Sequence, residues 1–236
     1  MNKNIILKVD NLKVELDGEK IIENLTFEVK EGETLVILGP NGAGKTVLLR
    51  TLLGLIPHQG KIQWKPGIKI GYVPQRLPLI KDIPLSVEEF FKLKKSSKKE
   101  TLELLDSVGI RVVNVLKRGI GDFSSGQFQR ILIAWGLVSN PQVLLFDEPM
   151  SGIDIGGEET IYNLLEKLKK ERNLTVLLVT HDLSVVYQRA TNVLCLNKKT
   201  LCYGPPKEIL TPQNLSQLFG GKMKFYQHKN VKSIYT

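Results

Sequence analysis

Only two cysteines, Cys195 and Cys202, occur in 236 residues, too few for a secreted scaffold held together by disulfides. No run approaches the roughly 20 apolar residues of a membrane-crossing helix. Near the N-terminus Lys3, Lys8 and Asp10 interrupt any apolar stretch, so no signal peptide is expected. Zinc-finger spacing and RNA-recognition motifs are missing, as is any aromatic-rich basic stretch, although the net charge is +9. These absences weigh against an extracellular, membrane-spanning or nucleic-acid-binding chain, and the simplest compartment is the cytosol. The surplus charge reads as solvated lysines, gathered at Lys92, Lys94, Lys95, Lys98 and Lys99 and in the tail at Lys222, Lys224, Lys229 and Lys232.

What is present is a hydrophobic content of 42%, enough to bury a sizeable core as one large domain or a core with an inserted lobe. The decisive stretch is Gly39-Pro40-Asn41-Gly42-Ala43-Gly44-Lys45-Thr46. It follows the apolar run Thr34 to Leu38 and precedes Val47 to Leu53, giving a strand, a glycine-rich loop and a helix in phosphate-binding order. The glycines let the backbone curl so that its N–H groups face phosphate oxygens, and the helix adds its positive end. Lys45 supplies a mobile charge for the outer phosphates, and the Thr46 hydroxyl can join the shell of a Mg²⁺.

Around this loop the pattern is mixed. Leu7, Val9, Leu12 and Val14 suit a half-exposed strand, Asp17-Gly18 a turn, and Ile21-Ile22 and Leu25 to Val29 two further strand candidates. Together they predict an antiparallel layer ahead of the loop. Ile68 to Val73 is a strand stopping at Pro74-Gln75. From about 79 to 130 the character turns helical, with Ser86 as an N-cap and Leu102, Leu105 and Val108 in step. A helix from Gly126 carries Phe128, Ile131, Leu132 and Trp135 on one face, and Ile161, Leu164, Leu165 and Leu168 mark another. Val143 to Asp147 and Leu174 to Val179 read as buried parallel strands, and Val193 to Leu196 with Leu201 to Tyr203 as a hairpin around Asn197 to Thr200.

Several strand ends carry chemistry. Asp147 is placed to hold a metal's water shell, and Glu148 beside it is the candidate general base for a water attacking a γ-phosphate. His181 ends the next buried strand, on the side where ligands of an α/β sheet lie, although a histidine there can also serve a helix start with Asp182. Gln75 can offer an amide oxygen to Mg²⁺ or water. Phe123-Ser124-Ser125-Gly126-Gln127 opens a helix, which is either an anion site or an ordinary N-cap by Ser124 or Ser125.

This ordered set resembles the nucleotide-binding subunit of the ABC transporter family over residues 5 to 220. The P-loop matches its Walker A, Gln75 its Q-loop, Phe123 to Gln127 its signature, Val143 to Glu148 its Walker B, Ser151 to Asp154 its D-loop and His181 its switch histidine. The resemblance implies an α/β fold of the ABC ATPase type. It would have a mostly parallel core sheet (1–78 and 131–220), an antiparallel β layer and an inserted helical lobe (about 79–130), followed by a basic tail (221–236). It implies MgATP bound by Gly39 to Val47, Gln75 and Asp147, with Thr46, Gln75 and Asp147 toward Mg²⁺. Lys45, Glu148 and His181 would be catalytic. A second copy packed head to tail would bring Ser124, Ser125, Gly126 and Gln127 in trans, with Asp154 and Gln75 coupling the halves. Permease subunits, an extracytoplasmic solute-binding protein and the cytoplasmic membrane face complete the implied setting. Nucleic acid is not expected.

Ile70 to Arg76, Ile83 to Val87, Val193 to Asn197 and Gly204-Pro205-Pro206 further resemble ATPases of the zinc, manganese and iron uptake group, with zinc or manganese as the first expectation for an imported ion. The alternatives are a non-transport ATPase of the same type, whose members usually carry two cassettes or a coiled-coil insertion, or a regulatory nucleotide binder. The chain departs from the family pattern in four places: Ser125 for glycine, Leu16 where an aromatic usually stacks on adenine, Val47 for a hydroxyl, and Gly152-Ile153 for alanine-leucine in the D-loop, where Asp154 is kept. They are expected to tune affinity. The two cysteines are expected to face each other across the hairpin as buried packing thiols.

Overall fold

The computed structural model describes residues 4–75, 84–148 and 155–220. Two sheets organise these residues. β1 (Ile5–Leu16), β2 (Glu19–Lys30) and β4 (Gln59–Trp64) form an antiparallel layer in the order β2-β1-β4. Where two strand candidates were expected there is one long β2, because Asn24 takes a left-handed conformation (φ 49°) and lets the strand continue through a register shift. Asn11 does the same opposite it, its N–H donating to Thr26 Oγ1 at 2.9 Å.

The larger sheet runs β5-β6-β7-β3-β8-β9, built from β3 (Thr34–Leu38), β5 (Ile70–Val73), β6 (Val143–Asp147), β7 (Thr175–Thr180), β8 (Asn192–Asn197) and β9 (Lys199–Gly204). All its pairings are parallel except β8 with β9. Every residue of β3, β6 and β7 is buried, as a sheet covered on both faces requires. Period-two alternation divides them between two cores. Leu35, Ile37, Val143, Leu145, Leu177 and Val179 join the antiparallel layer and α1 (Lys45–Leu52). Val36, Leu38, Leu144, Phe146, Val176 and Leu178 face the other helices.

Between β5 and β6 come α2 (Val87–Lys92), α3 (Lys98–Ser107) and α4 (Ser125–Gly136). Ser86 starts α2 with a reciprocal capping box to Glu89, a device worth about 1 kcal/mol. In α3 the buried stripe is Thr101, Leu104 and Leu105, whereas Leu102 is 46% exposed. The expected face was therefore rotated, since Leu102 points away from the neighbouring α4. Phe128, Ile131 and Leu132 of α4 are buried as expected. Trp135 stacks on Phe90 with ring centroids 5.1 Å apart and donates its indole N–H to the Phe90 carbonyl. Lys94 lies 3.7 Å over the same indole and donates to the Trp135 carbonyl, and burial pulls its ammonium down to about 8. α5 (Ile155–Arg172), α6 (Leu183–Arg189), α7 (Pro206–Ile209) and α8 (Pro212–Phe219) complete the described elements. Ile161, Leu164, Leu165 and Leu168 are all buried, as their spacing predicts.

The hairpin is tighter than its sequence suggests. Lys198 alone separates β8 from β9 at φ 62°, held because its N–H donates to Ala43 O and its carbonyl accepts from Glu23 N–H. Cys195 and Cys202 do face each other in register. They are joined as a disulfide rather than packed as two thiols, with Cα atoms 4.9 Å apart, because the antiparallel pairing brings them opposite one another. No described helix is long and apolar enough to cross a membrane.

Candidate functional site

The glycine-rich loop leaves β3 at Gly39, where there is no room for a side chain: a Cβ would sit 2.1 Å from the Leu196 carbonyl oxygen. At its far end Gly44 adopts φ 92° and precedes α1 without any side-chain cap. The first N–H groups of α1 therefore turn into the loop, as anion binding needs. Lys45 is 6% exposed and its ammonium donates to Gly39 O at 3.0 Å and Pro40 O at 2.9 Å. It also stands 3.4 Å from Glu148 Oε1.

Opposite the loop, parallel pairing brings the ends of β5, β6 and β7 together. Asp147, 1% exposed, accepts from Thr46 Oγ1 at 3.0 Å and from the Tyr72 hydroxyl at 3.2 Å. Burial pushes the Asp147 carboxyl above its usual range, opposed by these two donors and reinforced by Glu148. Burial, then the charge of Asp147, raises the Tyr72 phenol as well. Glu148 holds φ 43°, an uncommon conformation for a side-chain-bearing residue, and accepts from Gln75 Nε2 at 2.8 Å. Its carboxylate is thus clasped between Lys45 and Gln75.

The loop opens on one cleft of about 830 Å³, walled by Gly39 to Val47 together with Ile21, Gln75, Glu148, His181 and Phe219, with Asp147 and Tyr72 behind this wall and bonded to it through Thr46. His181 is exposed into this space, and α6 is capped instead by Asp182, which accepts from Ser184 N–H at 2.7 Å. The histidine is therefore not the helix cap. The donor set of Thr46 hydroxyl, Asp147 carboxylate and Gln75 amide is all hard oxygen and suits Mg²⁺ shared with phosphates. Among the described residues no group of three or more His, Cys, Asp and Glu side chains could hold a metal by itself.

Ser124 to Gln127 do not line the cleft. Ser124 is the N-cap of α4, accepting from Gln127 N–H while Gln127 Oε1 accepts from Ser124 N–H. Ser124 and Ser125 are exposed, and a Cβ on Gly126 would meet nothing within 4 Å. Val47 packs against the core beneath the antiparallel layer and still borders the cleft. Leu16 packs against that core and is not among the cleft residues. Ser151 to Asp154, Arg76, Ile83 and the tail 221–236 lie outside the described residues. Sequence reasoning passed over Tyr72, Ile21 and Phe219 as cleft or site residues. For Tyr72 the signal was a lone phenol in a strand two positions off register from Asp147.

A P-loop facing two acids at the end of β6, with Gln75 and His181 at the ends of the strands on either side, defines a nucleoside-triphosphate-binding protein. Residues 22–151 match the family model described as ABC transporter. The zinc import ATP-binding protein ZnuC of Yersinia pseudotuberculosis is 36% identical over 231 residues, spanning 96% of this chain and 91% of the relative. ZnuC of Pseudomonas putida is 36% identical over 233 residues, 97% and 90% of the two chains. A solved ABC transporter assigned to the metal-chelate type, in an inward-facing conformation, superposes with a TM-score of 0.81 at 31% identity, covering 92% of this chain and 90% of that one. The chain belongs to the ABC transporter family, as an ATPase whose hydrolysis is coupled to transport.

Proposed function

We propose that this chain is the energy-coupling ATPase of a zinc importer, working as a pair of copies on the cytoplasmic face of a membrane permease. The observation that carries the hydrolytic reading is the clasp of Glu148 between Lys45 and Gln75 in the same cleft as the P-loop and His181. Zinc is favoured over manganese because the similar curated relatives are named for zinc import. The ion is cargo and need not touch this chain.

In this reading Gly39 to Thr46 and the start of α1 hold the phosphates, with Lys45 turning from its carbonyl partners to the outer ones. The Val47 backbone N–H adds a further donor. Thr46, Asp147 and Gln75 would hold Mg²⁺, which when bound neutralises charge on the β- and γ-phosphates. Glu148 then takes a proton from the attacking water as the terminal P–O bond breaks, and His181 orients that water or the γ-phosphate. Ser124, Ser125, Gly126 and Gln127 of the second copy close the nucleotide from outside, which fits the exposure of Ser124 and Ser125 and the fact that none of the four lines this chain's own cleft. Asp154 would relay across that interface, and Gln75 with the helices of 79–130 would pass the change to the permease. We read 1–220 as one ATPase unit and include an extracytoplasmic zinc-binding protein among the partners.

The test is phosphate release by the reconstituted transporter. Zinc-loaded binding protein should stimulate it, and manganese should do so less. Hydrolysis indifferent to either ion would overturn the cargo assignment.

A further inference from the structure

We propose that Phe219 is the base-contacting residue of the nucleotide cleft, supplying the flat apolar face that Leu16 does not. The proposal rests on reading the cleft as the ATP site. It starts from the order of strands. Gln75, Glu148 and His181 follow β5, β6 and β7, all on one side of β3 and its P-loop. The triphosphate end of the nucleotide belongs there. On the other side of β3 lie β8 and β9, and the base must extend away from the acids.

That far side is built from three distant segments. The hairpin tip at Lys198 is tied to Ala43 of the P-loop and to Glu23 of β2, two residues from Ile21. Asn197 at the same tip donates to the Leu218 carbonyl at 3.5 Å, which fixes the end of α8 beside it. α8 itself is well specified: Thr211 caps it, Pro212 opens it, and Gly220 ends it at φ 66°. Leu215 and Leu218, each 1% exposed, anchor the helix in the core. Phe219, the last helical residue, is only partly buried and lines the cleft with Ile21.

A purine presents two π faces besides its hydrogen-bonding edges, and an aromatic ring with an aliphatic neighbour is a suitable receptor for such a face. Leu16 cannot play this part where it stands. It pairs with Glu19 and packs toward the antiparallel layer, outside the cleft.

The experiment compares MgATP with magnesium triphosphate, which has no base, by isothermal titration of the full chain. Phe219→Ala should weaken ATP about fivefold to tenfold, the range of one lost aromatic contact, and leave inorganic triphosphate unchanged. Phe219→Leu keeps bulk without the π face and should lose ATP affinity likewise, whereas Phe219→Trp should retain it. The unchanged triphosphate affinity reports that the variants still fold. Unaltered ATP affinity in the alanine variant, or equal weakening of both ligands, would overturn the assignment. If the wild-type chain binds neither ligand, the ATP-site reading falls and takes this one with it. If it binds both and the variant matches it, this one falls alone.

Discussion

Two helices begin at phosphate-type sequence in this chain, and they begin in opposite ways. α1 starts from a left-handed glycine with no side-chain cap and no acidic residue in its first turn. α4 starts from Ser124, locked to Gln127 by a reciprocal capping box. The first end leaves its N–H donors to a bound anion, while the second satisfies itself within the chain. Changes around α1 should therefore act on binding and turnover, and changes at α4 on stability or on association with another copy.

The largest expected effect is at the acids facing α1. Glu148→Gln should lower phosphate release from the assembled transporter by about 10²- to 10⁴-fold while ATP still binds. Retained turnover would remove Glu148 as the base and weaken the contrast most. Next, Gly126→Asp should abolish ATP-dependent association of two copies, measured by light scattering, with little change in Tm, because the site is open where a side chain would be added. Ser124→Ala should cost about 1 kcal/mol, seen as a Tm lower by about 2–4 °C. A drop in ATP affinity of the isolated chain, without that Tm loss, would contradict the capping role.

The smallest effect concerns the other end of α4. Lys94 has a depressed ammonium, so the unfolded chain binds more protons than the native one from about pH 8 up to the ordinary lysine range near 10.4. Stability relative to a Lys94→Met variant should rise over that window and be flat below it. Urea unfolding at pH 7.5 and pH 9.5 measures this, and a falling difference would show the sign to be wrong.

Much of this arrangement is legible in the sequence, for identifiable reasons. The buried strands leading to Asp147 and His181 announce themselves because a sheet covered on both faces favours an unbroken apolar run, here Val143 to Phe146 and Val176 to Val179. The Ser86 and Ser124 caps are local, so spacing alone reveals them. What the sequence does not disclose is long-range register. The hydroxyl of Tyr72 reaches Asp147 only because β5 and β6 pair with a particular offset. The disulfide depends likewise on which residues of β8 and β9 stand opposite one another. Leu102 fell on the wrong face because a helical stripe fixes spacing but not where the neighbouring helix lies. Phe219 is distant in sequence from every motif, and the hairpin tip of Asn197 and Lys198 ties the end of its helix to the P-loop.

The bare contact between Gly39 and the Leu196 carbonyl has a consequence for assembly. β3 emerges from the ribosome well before β8, which fills the space beside it and follows some 150 residues later. The loop's curvature is held by a strand that does not yet exist when the loop is made. Closing that gap is a contact of high sequence separation, the slow kind in folding. A nascent chain therefore carries the motif well before it carries the site.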